Sequence, residues 1–260
     1  MSSRERDCRP LGGGLCQLDR TLGTPEANLA LDEAILRQCE AALARGELPQ
    51  NAEALRFWES PTYFVTLGVS GKLQEELHVE TCRREGVPVL RRASGGGTVL
   101  QGPGCLNFAL VLAFEPRPEL RDVTRSYAAI LSRIAGSLKG GAVGEVGHRG
   151  TSDLTLGNLK ISGNAQKRSR HALLHHGTIL HDFDLTQIPR FLQEPEKQPE
   201  YRHSRRHEDF VRNLDLPVKE IKSRIARAWG AVSPAATHEL PDVSGLIADK
   251  YANRAWTEKF

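Results

Sequence analysis

The chain has 260 residues, of which 39% are hydrophobic and 26% are charged, a composition typical of globular proteins. Its formal net charge of +3 is too small to indicate nucleic-acid binding by itself. The longest apolar run, near Phe108–Phe114, is too short to span a membrane, and the polar N-terminus lacks a signal-peptide core. The five cysteines lie within the first 105 residues and have neither metal-site nor disulfide spacing. We therefore expect a cytoplasmic protein with no resident metal and with no membrane or nucleic-acid partner.

The first half of the chain predicts an arm, a helix and a series of short strands. Residues 1–15 are polar and rich in glycine, which predicts a flexible N-terminal arm. Thr24, Pro25 and Glu26 form a pattern typical of a helix start. In the predicted strand 106–114, large apolar residues alternate with smaller ones, which favours a strand covered mainly on one face. The predicted strands are 54–58, 62–69, 87–92, 97–101 and 106–114.

The second half predicts helices around a hairpin and one further strand. Helical spacing of apolar residues predicts helices at 119–138 and 215–229, with a short helix at 186–192. Residues 194–206 are polar, basic and proline-containing, which predicts a mobile loop. Because no repeat and no linker divides the chain, residues 16–260 are expected to form a single domain of the α/β (α+β) class.

A glycine-rich turn lies between two apolar, strand-like runs in residues 91–102. Gly95, Gly96 and Gly97 remove every Cβ from the bend, so backbone N–H groups can approach an anionic ligand. Arg92 offers a donor fork suited to a phosphate or a carboxylate. The segment lacks the lysine and glycine spacings of the P-loop and of the dinucleotide-binding fingerprint. By itself it fits a plain glycine-rich hairpin equally well.

A second motif follows about sixty residues later, in residues 153–166. Its Gly–Asn pair separates two alternating apolar stretches, which predicts a hairpin. On the second strand Leu159 and Ile161 face one side, whereas Lys160 and Ser162 face the other. A lysine in this position, just before a Ser–Gly bend, is placed to point into a cleft. A third motif, His-His-Gly-Thr at residues 175–178, follows on the next predicted strand.

These three segments, in this order, resemble the lipoate-protein ligase and octanoyltransferase superfamily, whose elements run RRxSGGG, KxSGxAQ and HHGT. Residues 28–34 and 55–58 are similar to the first helix and the following strand of that family. The resemblance covers about residues 20–260. It implies a biotin/lipoate protein ligase-like fold with a mixed, largely antiparallel central sheet flanked by helices. It also implies that the C-terminal accessory domain of the long bacterial ligases is absent.

The resemblance implies a ligase that uses ATP to attach lipoate or octanoate, through an acyl-adenylate, to a lysine of an acceptor domain. Mg²⁺ would arrive transiently with the nucleotide. The implied acceptors are the lipoyl domains of 2-oxoacid dehydrogenase complexes or the glycine cleavage H protein. For short forms such as this chain, the resemblance implies either that adenylation requires a separate accessory subunit or that the enzyme accepts a preformed acyl-adenylate.

The resemblance also assigns roles to individual residues by motif position. Lys160 would be the catalytic cation that contacts the acyl carbonyl oxygen and the phosphate. Asp153 would lie near the nucleotide or its magnesium. The residues expected to bind the acyl group and the adenylate are Arg92, Ser94, Gly95, Gly96, Gly97, Thr98, Val99, Asp153, Ser162, Gly163, His176 and Gly177. The residues expected to line the acyl pocket are Leu29, Leu31, Asp32 and Trp58, together with Val99 and His176.

Two other functions remain open at this point. Octanoyl and lipoyl transferases of the superfamily work without ATP and hold the acyl group on a cysteine beyond the glycine-rich turn. This chain has no cysteine after Cys105, and a thioester requires a thiol, so adenylate chemistry is favoured. A non-catalytic protein that binds lipoyl groups or acceptor domains would not need Lys160. The sequence also departs from the family at Gln101, where many relatives have histidine, and at residues 68–70, which replace a Gly-Arg-x-Gln segment.

Overall fold

A computed structural model describes residues 15–47, 49, 52–140, 144–232 and 240–260. Residues 1–14 lie outside the described residues, so Leu15 is the one residue of the predicted arm that the structure describes. The single-domain organisation of residues 16–260 stays a prediction.

A seven-stranded sheet forms the larger layer of the fold. Its neighbours pair antiparallel except β1 and β2, which are parallel. In chain order its strands are β1 (Cys16–Asp19), β2 (Ala54–Trp58), β6 (Cys105–Ala113), β7 (Val146–Arg149), β8 (Asp153–Leu156), β9 (Leu159–Arg168) and β10 (Ala172–Leu180). They are arranged in the order β1-β2-β6-β10-β9-β8-β7. Consecutive hairpin strands therefore lie side by side, as antiparallel connections require.

A second sheet of three strands carries the glycine-rich turn. Its strands are β3 (Phe64–Leu67), β4 (Val89–Arg91) and β5 (Val99–Gln101), in the order β4-β3-β5. β3 pairs parallel to β4 and antiparallel to β5. The expected fold, a mixed and largely antiparallel sheet arrangement flanked by helices, is confirmed.

Three longer helices pack against the larger sheet. They are α1 (Pro25–Ala44), α4 (Val123–Leu138) and α7 (Val218–Ala228). The α1 start agrees with the sequence, because the Thr24 side chain accepts a hydrogen bond from Ala27 N at 3.2 Å. The short helices are α2 (Leu73–Glu76), α3 (Val79–Arg84), α5 (Ile188–Phe191), α6 (His207–Phe210), α8 (Ser244–Leu246) and α9 (Arg254–Thr257). Among the described residues, no helix combines the length and the apolar character needed to cross a membrane.

The central strand β6 is covered on both faces, which corrects the expectation of one covered face. All nine of its residues are buried. Leu106, Phe108 and Leu110 join the core beneath α4 and α7, whereas Ala109 and Val111 join a second cluster beneath α1. Helices therefore flank both faces of the sheet at its centre. The smaller residues of β6 face a helix rather than water.

Candidate active site

Lys160 stands on a hairpin whose local geometry agrees with the sequence. Gly157 adopts φ +61° at the turn between β8 and β9, a conformation that glycine favours. Ile161 is fully buried in the core, and the Lys160 side chain on the opposite face keeps 30% of its surface exposed. The lysine is therefore directed away from the core, as predicted, although the β8–β9 register shifts between Leu154 and Thr155 and Ser162 is buried like Ile161.

The Lys160 ammonium has a defined anchor. Its Nζ lies 2.7 Å from Asp153 Oδ1 across the β8–β9 pair. A Cβ at Gly163 would lie 3.2 Å from both Cε and Nζ of Lys160, so the missing side chain of this glycine makes room for the ammonium. The backbone is fixed as well, since Lys160 O accepts a hydrogen bond from Arg212 N at 2.9 Å.

The glycine-rich turn connects β4 to β5 and packs tightly against the segment after β3. Gly96 has φ +90°, which few residues other than glycine adopt. A Cβ on Gly68 would lie 2.0 Å from Gly96 O, so the Gly68 position also requires glycine. The residues 68–70 that depart from the family pattern therefore form the back of this turn.

Arg92 is directed at the turn itself. Its Nη2 donates to Gly95 O at 2.6 Å and to Gly97 O at 2.9 Å. Its Nε donates to Ser94 Oγ at 3.0 Å, and its Nη1 donates to a carbonyl of β3. Burial lowers the pKa of Arg92 to about 10, so the guanidinium stays charged at neutral pH. Arg92 therefore holds the turn in shape, and its expected contact with an anionic ligand stays a prediction.

His176 connects β10 to the same turn. Its Nε2 lies 2.6 Å from Ser94 Oγ. Desolvation, together with the charge of Arg92, lowers the pKa of His176 to about 3, so the imidazole is neutral at physiological pH. Next to it, a Cβ on Gly177 would lie 1.9 Å from Asn164 Oδ1. Glycine at position 177 is therefore needed for the close approach of β10 to β9.

Two adjoining cavities open beside Lys160, with volumes of about 440 Å³ and about 120 Å³. The residues that line both are Gly97, Thr98, Val99, Ser152, Lys160, Gly163 and Thr178. The larger cavity has an apolar side formed by Leu100, Leu180, Ile188, Leu192, Phe210 and Val211. Lys160 and the glycine-rich turn therefore lie where the two cavities meet.

A family model, the lipoyl protein ligase A/B catalytic domain, matches residues 24–229. The chain belongs to this family. It is 32% identical over 177 residues to a putative lipoate-protein ligase A of Aeropyrum pernix, covering 67% of this chain and 61% of that protein. It is 33% identical over 183 residues to the octanoyltransferase LipM of Carboxydothermus hydrogenoformans, covering 64% of each protein. The chain thus spans less than two thirds of the length of these two relatives.

Solved structures share the fold. A bipartite lipoate protein ligase of Thermoplasma acidophilum, studied with its E2 lipoyl domain, superposes with a TM-score of 0.76 at 23% identity, covering 95% of this chain and 96% of that one. A lipoate-protein ligase A bound with ATP gives a TM-score of 0.74 at 22% identity, covering 95% of this chain and 98% of that one. The superfamily and the fold expected from the three motifs are both confirmed.

Within this ligase-family fold, most of the predicted adenylate-binding residues lie in the cavities. Besides Lys160, those that line at least one cavity are Arg92, Gly96, Gly97, Thr98, Val99, Asp153, Ser162, Gly163, His176 and Gly177. Ser94 and Gly95 line neither. Ser94 is buried and bonds to Arg92 and His176, and Gly95 offers its carbonyl to Arg92. These two residues form the frame of the turn rather than its ligand-facing surface.

The predicted acyl-pocket residues on α1 and β2 lie outside the two cavities, and their role stays a prediction. Leu29, Leu31, Asp32 and Trp58 are at most 4% exposed and line neither cavity. Asp32 forms an ion pair with Arg56 at 2.5 Å and accepts a hydrogen bond from Trp58 Nε1 at 3.2 Å. In this structure the four residues fasten α1 to the sheet. Of the acyl-pocket candidates, Val99 and His176 remain in a cavity.

Sequence reasoning missed several residues of the larger cavity. Glu76 at the end of α2 lines it and accepts a hydrogen bond from Thr98 at 2.5 Å. The predicted mobile loop contributes a wall that includes Pro195, Lys197 and Arg202, and its Tyr201 contacts Asp153. The only sequence signal for this wall was its proline-containing, basic composition.

The described cysteines are poorly placed for nucleophilic chemistry. No disulfide joins Cys16, Cys39, Cys82 and Cys105, and none of these four lines either cavity. Burial raises the pKa of Cys105 to about 12 and that of Cys39 to about 12. A thiol with a raised pKa supplies little of the thiolate that acts as nucleophile. Among the described residues, no group of three or more His, Cys, Asp or Glu side chains is arranged to hold a metal ion.

Proposed function

We propose that this protein attaches lipoate or octanoate to a lysine of an acceptor lipoyl domain, in an ATP-dependent reaction through an acyl-adenylate. The observation that carries the proposal is the position of Lys160, whose ammonium lies at the junction of the two cavities beside the glycine-rich turn. Membership of the lipoyl protein ligase A/B catalytic domain family supports the acyl-transfer class. Within that class, the choice of ATP chemistry rests on the cysteines.

The reaction has two steps. In the first, a carboxylate oxygen of the fatty acid attacks the α-phosphorus of ATP, and pyrophosphate leaves. In the second, the ε-amine of the acceptor lysine attacks the acyl carbonyl, an amide forms, AMP leaves and one proton is released. Negative charge develops on the phosphoryl oxygens in the first step and on the carbonyl oxygen in the second. One cation at the junction can stabilise both transition states.

The cavity sizes favour a division of the acyl-adenylate between the two cavities. Ligand sites usually have volumes of about 300–1,000 Å³, so the cavity of about 440 Å³ can accept the bulky nucleoside. The cavity of about 120 Å³ has room only for a narrow group. We propose that the phosphoryl and acyl groups meet at Lys160, with the N–H groups of Gly96 and Gly97 facing the anion.

Two carboxylates could assist the magnesium ion that accompanies ATP. Asp153 and Glu76 both line the larger cavity, and Mg²⁺ is usually bound by one or two carboxylates together with phosphates and water. Asp153 already contacts Lys160, and Glu76 contacts Thr98. The residues therefore fit an ion that arrives with the nucleotide. The ion would neutralise phosphate charge there.

The second candidate is a transferase that works without ATP, and the similarity to an octanoyltransferase LipM favours it. Such an enzyme would need a thiol near Lys160, whereas the four described cysteines lie outside both cavities. A third candidate, a non-catalytic binder, would not require the cation at the junction. We therefore favour the ligase.

The remaining parts of the proposal concern partners and location. A lipoyl domain is the proposed acceptor because the Thermoplasma relative was studied with its E2 lipoyl domain. That relative is bi-partite, which supports testing for an accessory subunit here. Acceptors would be 2-oxoacid dehydrogenase lipoyl domains or a glycine cleavage H protein, in the cytoplasm.

The test is a mass measurement. The protein is incubated with an apo lipoyl domain, Mg²⁺ and lipoate or octanoate, with and without ATP, and the acceptor is weighed. We expect the acyl mass increase only when ATP is present. Wild type and Lys167→Met should produce it, and Lys160→Met should not. Lys167 is the matched control because it lies exposed on the same strand as Lys160. Transfer from an octanoyl carrier protein without ATP would instead support the transferase.

A further inference from the structure

The Asp153 carboxylate is held by two side chains from different parts of the chain. Its Oδ1 lies 2.7 Å from Lys160 Nζ, and its Oδ2 accepts a hydrogen bond from the Tyr201 hydroxyl at 2.7 Å. The Asp153 side chain is only 8% exposed. We infer that Tyr201 is a positioning residue that directs the Lys160 ammonium by fixing the Asp153 carboxylate. This inference rests on the role proposed for Lys160.

Tyr201 is itself firmly placed. It lies in a 3₁₀ turn, Glu200–Arg202, and its ring packs against Phe210 at a centroid distance of 5.3 Å. Arg205 Nη2 donates both to Tyr201 O at 2.9 Å and to Asn158 O at 3.0 Å. Asn158 belongs to the turn of the β8–β9 hairpin, so one guanidinium connects the tyrosine segment to the hairpin that bears Lys160. The hydroxyl is therefore aimed at Asp153 by a braced segment.

This arrangement matters because a lysine side chain does not fix its own direction. Lysine carries a compact charge on a flexible stem, and the Lys160 side chain is 30% exposed. Because Gly163 has no side chain, there is room next to the Lys160 ammonium. A carboxylate with one partner can rotate about its last bond, whereas one anchored at both oxygens presents Oδ1 to the lysine in one orientation. Small misplacements of a catalytic group are costly, about 10²-fold in rate for 1 Å.

The first measurement is a double-mutant cycle on the full-length protein. Octanoyl-adenylate is supplied preformed, and single-turnover transfer to an apo lipoyl domain is followed in wild type, Tyr201→Phe, Asp153→Asn and the double variant. If Tyr201 acts through Asp153, Tyr201→Phe slows transfer by about 10- to 100-fold in wild type. In the Asp153→Asn background the same change has an effect of less than about twofold, because the two changes are coupled.

The matched control is Tyr127→Phe. The Tyr127 hydroxyl bonds to the backbone of Gln166, which lies on the same strand as Lys160. This variant also loses one phenol hydrogen bond to the structure around β9, but it leaves Asp153 untouched. We expect its transfer rate to stay within about twofold of wild type, the range typical of changes away from a site.

The second measurement needs no substrate. Lysines are acetylated with trace acetic anhydride, and the labelling of Lys160 relative to Lys167 is read by peptide mass spectrometry. An amino group held against a carboxylate is shielded from the reagent, so loosening the pair raises Lys160 labelling in Tyr201→Phe by about two- to fivefold, the factor that a partly exposed ion pair is worth. Labelling in Tyr127→Phe stays at the wild-type value.

The outcomes separate this inference from the proposed function. Unchanged Lys160 labelling, or an equal effect of Tyr201→Phe in both Asp153 backgrounds, overturns the positioning role. A wild-type protein that shows no transfer, but whose Lys160 labelling responds to Tyr201→Phe, supports the coupling and refutes the proposed reaction.

Discussion

Two adjacent glycines of the turn should respond differently to the same substitution. Gly96 has φ +90°, and a Cβ there would lie 3.1 Å from Arg92 Nη2. Gly97 has no positive φ, and apart from its chain neighbours no described heavy atom lies within 4 Å of its Cβ position. Gly97 also lines both cavities. Alanine at 96 should therefore strain the fold, whereas alanine at 97 should obstruct only the ligand.

The magnitudes follow from these environments. An L-residue in the left-handed region costs about 1–2 kcal/mol, so Gly96→Ala should lower Tm by about 2–8 °C in a chain of this size. Gly97→Ala should keep the wild-type Tm. A Cβ between the turn and the anion removes a hydrogen bond to a charged group, which costs about 1.5–3 kcal/mol. That loss corresponds to an affinity about 10- to 150-fold weaker.

The assay combines calorimetric titration of a non-hydrolysable acyl-adenylate analogue with thermal unfolding. Gly95→Ala is the matched control, because Gly95 has the same open surroundings as Gly97 but lines neither cavity. It should bind and unfold like wild type. If Gly97→Ala binds the analogue with wild-type affinity, the turn is a plain hairpin and the proposed approach of its N–H groups is wrong.

Three further predictions concern charge, thiols and pH. Lys160→Met should slow single-turnover transfer by about 100-fold or more, as loss of an oxyanion donor does, while Lys167→Met transfers normally. Cys105→Ala should retain transfer and show no hydroxylamine-sensitive acyl-enzyme, and a thioester trapped on Cys105 would contradict adenylate chemistry. Burial lowers the pKa values of His175 and His176 to about 3, whereas the unfolded chain protonates them below about pH 6.5. Unfolding free energy should therefore fall as the pH drops from about 6.5 towards 3, by about 2 kcal/mol per histidine at about pH 5. Urea unfolding across this pH range measures how steeply the unfolding free energy depends on pH. This dependence should be weaker in His175→Met.

The lysine and the glycine-rich turn were predictable because their geometry is local. A hairpin strand fixes which face Lys160 takes, and in the observed β8–β9 pair Ile161 is buried while Lys160 stays partly exposed, despite a register shift between Leu154 and Thr155. Three consecutive glycines between two strand-like runs predict a bend whatever the surrounding fold. Local patterns could not predict that Lys160 and the glycine-rich turn lie next to each other. That prediction came from the family resemblance, which rests on the order of the three motifs.

Four of the predicted acyl-pocket residues lie outside both cavities, and their role stays a prediction. Apolar periodicity identifies residues that avoid water, but it does not distinguish a packed core from a ligand cavity. Leu31 packs in the cluster beneath α1, and Trp58 in a neighbouring one. The buried ion pair of Asp32 with Arg56 joins residues 24 positions apart, and no spacing rule relates them. Tyr201 and Glu76 were missed because they reach the cavity from distant segments.

The role of Arg92 shows how a turn limits what its own residues can do. The turn directs the Gly95 and Gly97 carbonyls towards Arg92, and partly buried carbonyls need donors. Arg92 supplies them at Gly95 and Gly97, so most of its donor capacity is directed away from a ligand. The sequence indicated the right residue but could not indicate the direction of its guanidinium.

Because Arg92 is engaged by the turn, Lys160 is the cation of the smaller cavity that can follow the reacting groups. Of the described residues that line the smaller cavity, Arg92 and Lys160 carry positive charge, and Arg92 is bonded to the turn. His176 is neutral at physiological pH because its pKa is lowered to about 3. If one cation serves both steps, Lys160→Met should slow ATP–pyrophosphate exchange and acyl transfer together. A variant that loses one partial reaction and keeps the other would show that a second cation acts at the site.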